Sequence, residues 1–351
     1  AGREQLFSDD YAYFSSFSAS WLNHSEAYVE AMRVRFDLTP ASLVAEIAAN
    51  DGYLLQFVQR AGIPCYGIEP TASTAAAARA KGIEIVERFF GVALARELVA
   101  QGRQVDLVAA NNVLAHVPDI NDFVAGFAAL LKPRGVATFE FPHLLRMVAE
   151  NQFDTAYHEH YSYLSLNTVQ RIFSVNGLQV FDVQAWPTHG GSLRLFAQRG
   201  DTMGQPVSPR VDALLRDELA AGVDRADFYT GFQAKADRVK NEFHGFLIEA
   251  RRQGRRVAAY GAAAKGNTLM NYAGVRPDLI SFVADRNPAK QGKFMPGSRI
   301  AIVDESRLKS QKPDCVVILP WNLQVEVMQQ LDYVRAWGGR FVTAVPAMKE
   351  C

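Results

Sequence analysis

Along this chain, apolar residues fall first at helical spacing, then in short blocks, then at helical spacing again, and finally in short blocks once more. Trp21, Tyr28, Val29, Met32 and Phe36 share one stripe and predict a helix within an aromatic-rich opening segment, residues 1–40. That stripe suits core packing, while Tyr11 and Tyr13 suit a tyrosine wall over a substrate site. Over residues 41–200, strand-like blocks at 43–48, 66–69, 105–110 and 135–141 alternate with helical stretches at 72–81, 121–131 and 165–175. Such alternation predicts a parallel sheet covered on both faces. The blocks at 178–183 and 192–198 lie too close together for a crossover and predict an antiparallel end to that sheet. Residues 201–255 return to helical spacing, from Val211, Leu214 and Leu215 to Phe243, Phe246 and Leu247, and read as a helical connector. Residues 256–351 carry strand candidates at 257–260, 279–284, 315–319 and 340–344, a second and smaller α/β domain.

The 351 residues allow two or three domains. Lys plus Arg and Asp plus Glu both count 37, so the chain has no net basic field with which to coat nucleic acid or an anionic membrane. It contains no apolar run of transmembrane length. Cys65, Cys315 and Cys351 stand far apart and form no zinc-type pair, so no metal is expected and a reducing cytoplasm fits. Composition leaves the oligomeric state open.

The first chemical signal is the turn after the first strand, Glu46-Ile47-Ala48-Ala49-Asn50-Asp51-Gly52. Ligands of open α/β sheets sit outside the carboxyl ends of strands. Ala48 and Gly52 let a ligand approach the backbone, and Glu69 ends the next strand, where a carboxylate can take ribose hydroxyls. Without GxGxxG, and with acids that repel a pyrophosphate, the turn suits a ligand with a cationic centre and a ribose: S-adenosylmethionine (SAM). A structural reading makes Glu46 a strand-end cap and Asp51 a helix cap.

The runs 46–55, Gly67-Ile68-Glu69-Pro70 and Asn111-Asn112-Val113-Leu114-Ala115-His116-Val117-Pro118-Asp119 resemble the cofactor motifs of class I SAM-dependent methyltransferases. More narrowly, Tyr157-His158-Glu159-His160-Tyr161-Ser162-Tyr163, His189-Gly190-Gly191-Ser192-Leu193-Arg194 and residues 260–268 resemble the sugar C-methyltransferases of deoxysugar antibiotic pathways, over nearly the whole chain. The resemblance implies a Rossmann-like class I SAM-binding domain, the helical connector and a second Rossmann-like domain, with the sugar between the two α/β domains. It implies that Glu46, Ala48, Asn50, Asp51 and Gly52 hold the methionine part of SAM and that Glu69 holds the ribose. Phe89 and Phe90 would lie near the adenine, with core packing as the alternative. Asn111 and Asn112 would lie near the methionine tail or the reacting methyl. Family members usually begin with a cysteine-rich zinc domain; these residues contain no such cysteine set, so the zinc is not carried over.

Methylating a carbon beside a ketone needs a base for the C–H proton and a donor for the enolate oxygen. The resemblance points to Tyr157, Glu159 and His160, with His160 as base. The histidine pair at 158 and 160 also fits a chelating pair or a hydrogen-bonded structural loop, and in an extended chain the two would face one side. His116 reads as a helix-start or core residue, although it could contact substrate. His158, His189, Gly191 and Ser192 are further substrate candidates. The loop after residue 260 offers small residues, Lys265 and a helix N-terminus; tight strand–helix packing is the plain reading and a diphosphate site the family one. Asn267, Arg286 and Asn287 would add contacts.

The expected function is therefore SAM-dependent C-methylation of a nucleotide-linked 4-keto deoxysugar through an enolate. Rival readings are a small-molecule O- or N-methyltransferase, a nicotinamide oxidoreductase using Asp285 for ribose, and a non-catalytic SAM- or nucleotide-binding module.

Overall fold

The computed structural model describes residue 2, residues 13–202 and residues 204–351. Tyr11, expected to touch substrate, lies outside the described residues. The chain forms two compact units. The first comprises the chain up to Leu145 together with Glu159–Asp224, and the second comprises Arg146–His158 and Arg225–Cys351. The expected connector is therefore divided: its first helix belongs to the first unit and its second helix to the second.

The first unit begins with helix α1 (Ala19–Arg35), capped by the Ser18 hydroxyl, which accepts from the Trp21 amide. Trp21, Tyr28, Val29 and Met32 are buried on it as the stripe predicts. Alternating elements follow: β1 (Val44–Ile47), α2 (Leu55–Arg60), β2 (Cys65–Ile68), α3 (Ala72–Ala80), β3 (Glu84–Val86), α4 (Val92–Ala100), β4 (Val105–Asn111), α5 (Ile120–Leu130), β5 (Leu131–Pro142), α6 (Leu144–Ala149, which runs into the second unit) and α7 (Leu166–Val175). The unit ends with β6 (Leu178–Trp186), β7 (Ser192–Arg199) and α8 (Pro209–Ala221). The sheet order is β3-β2-β1-β4-β5-β7-β6. Neighbours from β3 to β5 run parallel, and β7 lies antiparallel to both β5 and β6. The strand order reverses between β1 and β4, which makes their carboxyl ends the ligand crevice of such a sheet. Phe127, Phe139 and Phe173 fill the core on one face. On the other, α1 packs with Phe181 and Phe196.

The second unit holds α9 (Phe232–Arg252), β8 (Val257–Tyr260), α10 (Ala264–Tyr272), β9 (Val283–Ala284), β10 (Ile302–Val303), α11 (Ser306–Gln311), β11 (Cys315–Ile318), α12 (Gln324–Gln330), β12 (Arg340–Thr343) and β13 (Lys349–Glu350). Its sheet order is β10-β9-β8-β11-β12-β13, parallel except for the last pair. The unpredicted strands β3, β10 and β13 are two or three residues long, too short for a hydrophobic period to register. Among the described residues no helix is long and apolar enough to cross a membrane.

One buried contact fixes the entry to α7. Glu218 on α8 accepts from the amides of Leu166 (2.7 Å) and Asn167 (2.9 Å) and lies 2.7 Å from His143 Nε2. His143 and Glu218 are both buried, so His143 serves packing. Glu218→Ala strands two helix amides and a buried imidazole. It should cost the first unit at least about 3 kcal/mol in chemical denaturation, and Glu218→Gln, which keeps an acceptor, should cost less.

Candidate functional site

The turn after β1 is built from residues in the left-handed region: Ala48 (φ 58°), Asn50 (φ 49°) and Gly52 (φ 74°). Its shape is held from several sides. The two oxygens of Glu69 accept the Asn50 amide (2.8 Å) and the Thr71 amide (3.0 Å), tying the ends of β1 and β2 together. Asn50 Nδ2 donates to the Tyr13 carbonyl, and its Oδ1 accepts from the Ser15 amide. Lys81 donates to the Asp51 carbonyl at 2.6 Å. Asp51 Oδ2 accepts the Ser16 amide, and no side chain caps α2, so Asp51 is not the cap of that helix.

Two groups beside this turn are primed for a ligand. Glu46 is fully buried, and neither of its carboxylate oxygens accepts a hydrogen bond of good geometry. Burial raises its carboxyl well above the usual range; Tyr53 beside it opposes the rise and Asp51 and Glu69 add to it. A cation placed next to Glu46 would favour its charged form. Asn111, at the end of β4, likewise buries an Oδ1 without a partner. A buried acid and a buried acceptor beside a strained, small-residue turn fit a sulfonium and an amino group, so the residues present suit SAM. Glu69 is also held above its usual range by burial, against the amides that favour its charge. Phe90 packs on Phe123 and Phe127 in the core, and Phe89 is the half-buried member of that pair.

A second polar group, which the sequence did not single out, crosses the sheet. Glu140 on β5 pairs in register with Asn111 on β4 and Arg194 on β7. Its buried carboxylate receives Arg194 Nε (3.1 Å) and Nη2 (2.9 Å), His24 Nε2 (2.9 Å) and the Thr188 hydroxyl (2.9 Å). Burial opposes its ionisation, yet His24, Arg194 and Thr188 together hold it below the usual carboxylate range.

At the same edge stand three imidazoles. His116, in a helical turn Leu114–His116 after β4, meets the His160 ring edge-on at 4.7 Å. His189 Nε2 lies 3.0 Å from Asn112 Nδ2, and its ring meets Trp21 at 5.1 Å. His116 sits in a helical turn, and its partners there are the candidate base and a substrate candidate. Burial, with the charges of His160 and His189 adding, drives its pKa from 6.5 down to about 3. The His160 loop is fastened to this turn because the amides of Tyr161 (2.8 Å) and Ser162 (3.3 Å) both donate to the Ala115 carbonyl. Residues 157–160 form a turn rather than a strand, so the two-sided alternation of an extended chain does not apply. His158 is exposed, Tyr157, Glu159 and His160 are half-buried, and the chain passes between the units at His158–Glu159. Half of the Tyr13 surface is exposed, yet its phenol is raised by burial and by the charges of Asp51 and Glu159. Gly191 accepts the His143 amide, and Ser192 is buried with its hydroxyl on the Thr188 carbonyl.

In the second unit, the glycines after β8 serve close packing. A Cβ on Gly261 would come within 2.5 Å of Pro320, and one on Gly266 within 2.6 Å of Leu319. The Lys265 amine lies 4.7 Å over the Trp321 ring and in the field of Asp154, whose Oδ2 accepts Trp321 Nε1 at 2.7 Å. Asn267 buries an Oδ1 without a partner. Asp285 accepts the amides of Ala262 and Asn287, so its oxygens brace the loop. Arg286 reaches Gln330 and Glu326, and Asn287 caps the Ala289 amide. Among the described residues no group of three or more His, Cys, Asp or Glu is arranged to hold a metal.

A methyltransferase-domain family matches residues 33–183, and a C-methyltransferase C-terminal domain family matches residues 187–346. The C-methyltransferase NovU of Streptomyces niveus is 32% identical over 96% of this chain and 80% of its own length. The chain belongs to the C-methyltransferase family. It is a SAM-dependent C-methyltransferase with a class I fold. The ubiquinone biosynthesis O-methyltransferase of Rhodopseudomonas palustris is 27% identical over 36% of this chain and 58% of its own length. Among solved structures, magnesium protoporphyrin IX methyltransferase from Synechocystis PCC 6803, which holds bound SAM, is 18% identical over 56% of this chain and 88% of its own, with a TM-score of 0.40.

The depressed pKa of His116 in this C-methyltransferase has a signed consequence. The unfolded chain protonates this histidine as pH falls through 6.5, whereas the folded chain does so only near 3. Its stabilising contribution is therefore complete above 6.5 and is lost as pH falls through that window. His116→Asn should lose less stability between pH 7 and pH 4 in urea titrations, and an equally steep loss in both proteins would count against a neutral His116.

Proposed function

We propose that this C-methyltransferase acts on a carbon beside the ketone of a nucleotide-linked 4-keto deoxysugar, through an enolate, in the cytoplasm. The observation that carries this reading is the pairing of His160 with His116 at the carboxyl edge of β4, in the unit that holds the cofactor turn. A base whose conjugate acid has a pKa near 3 is too weak for a C–H proton. His116 is thereby removed as a competitor, and of the two imidazoles left at this edge we assign the proton to His160 and the acceptor contact to His189. Glu159, next in the chain, orients or assists it. Tyr157 donates to the developing oxyanion, as a phenol can. SAM supplies an electrophilic methyl on a sulfonium. As His160 takes the proton, the C–H electron pair becomes a carbon–carbon double bond and the carbonyl π pair moves to the ketone oxygen, giving an enolate carbon that the methyl of bound SAM would alkylate. Glu46, Asn50, Asp51, Glu69 and Asn111 hold the cofactor, Asn112 lies near the reacting methyl where cofactor and acceptor meet, and His189 faces the acceptor. Lys265, beside Trp321 and Asp154 in the second unit, supplies charge to the sugar diphosphate.

The test is proton exchange. Enzyme, S-adenosylhomocysteine and a 4-keto nucleotide sugar are incubated in deuterium oxide, and the proton beside the ketone is followed by NMR. Wild type should exchange it above background. His160→Ala should slow exchange and turnover by about 10²–10⁴-fold with both ligands still bound. Exchange at the wild-type rate in the variant would assign the base elsewhere.

A further inference from the structure

Glu140 and Arg194 are charged, buried and directly opposed across β5 and β7, on strands otherwise lined by residues such as Phe139, Phe141, Leu193 and Leu195. Such a pair is seldom the cheapest way to fill a core, since apolar replacements are often as stable or more so. Its placement is explained by what Glu140 holds. Its backbone carbonyl accepts the amide of Asn112 at 2.7 Å, where the chain turns left-handed (φ 53°). Its side chain accepts the hydroxyl of Thr188, the residue before His189. His189 (φ 55°) opens a run of three left-handed residues completed by Gly190 (φ 92°) and Gly191 (φ 116°). A non-glycine residue keeps that conformation only where its surroundings over-determine it. His24, which also bonds Glu140, stacks on Trp21 at 5.0 Å, and Trp21 in turn meets His189. The two ends of the Asn112–His189 contact are therefore both fastened to one residue.

We propose that Glu140 is a positioning residue that sets the Asn112–His189 pair against the acceptor, holding Asn112 through its carbonyl and the His189 turn through Thr188. Arg194 and His24 fix the carboxylate for this task. The inference rests on the acceptor reading above only for its turnover assay.

The Thr188 hydroxyl is the link to break, because Glu140 itself is too deeply buried to replace without risk to folding. Thr188→Val should lower kcat about ten- to a hundredfold, with SAM affinity by calorimetry and the melting temperature unchanged. Thr188→Ser, which keeps the hydroxyl, should restore kcat. In a His189→Ala background, Thr188→Val should cost nothing further, because a residue acting through another shows no effect once that other is gone. A substrate-free arm follows the His189 imidazole by ¹⁵N-edited NMR: its resonances should move in Thr188→Val and stay in Thr188→Ser. Unmoved resonances, unreduced kcat in Thr188→Val, or a full additional loss in the His189→Ala background would each overturn the proposal. Absence of turnover in wild type with every 4-keto nucleotide sugar would instead defeat the acceptor reading and leave the NMR arm to decide this one.

Discussion

The pairing of β5 with β7 is the constraint on which the site depends. Because β7 runs antiparallel to β5, Arg194 falls directly opposite Glu140, and because β4 runs parallel to β5, Asn111 falls on its other side. One row of the sheet thus carries an amide, a carboxylate and a guanidinium through the protein interior. In low dielectric, an unpaired carboxylate here would be neutralised or excluded. Arg194 makes its charge tolerable, and the ring faces of Tyr28 (4.8 Å) and Trp186 (4.5 Å) cover the guanidinium in turn. The aromatic stripe of α1 follows from this arrangement, since Trp21 and His24 close the row and Tyr28 shields it.

The alternation of strand and helix was legible in the sequence, and so were the turn after β1 and the antiparallel end of the sheet. These depend on local periodicity and on turn residues near one another in the chain. Glu140 was not legible. It stands in a strand-like run between Phe139 and Phe141, and its partners come from two distant segments, His24 on α1 and Thr188 with Arg194 around the start of β7. The surroundings of His116 were not legible for a related reason: they are set by the amides of Tyr161 and Ser162 reaching back to Ala115, a contact with no sequence period. The connector was read as one piece because helical spacing says nothing of which core a helix joins.

The two α/β units use similar loops for different ends. After β1 the small residues leave buried polar atoms of Glu46 and Asp51 without partners. After β8 the glycines are filled against Leu319 and Pro320, and Asp285 spends both oxygens on backbone amides. Composition made the loops look alike, whereas of the two only the one after β1 itself carries a buried carboxylate oxygen without a partner, that of Asp51. The nicotinamide reading gives way to the family match, which places this second unit in a C-methyltransferase C-terminal domain family.

Strain and unmet hydrogen bonding coincide in the first unit. Of its non-glycine residues at positive φ, Ala48, Asn50, Asn112 and His189 all stand at the carboxyl edge of the sheet or on the turn leading into β7 beside it. The buried polar atoms without partners at Glu46, Asp51, Asn111 and Asn112 belong to the same region. Either feature alone costs stability, and a fold under no other demand would shed both. Their concentration beside three imidazoles, one of them held neutral, shows where this chain has given up stability. What the edge lacks is a cation for the acids and donors for the amide oxygens, and a sulfonium amino acid with a polar acceptor molecule beside it provides both.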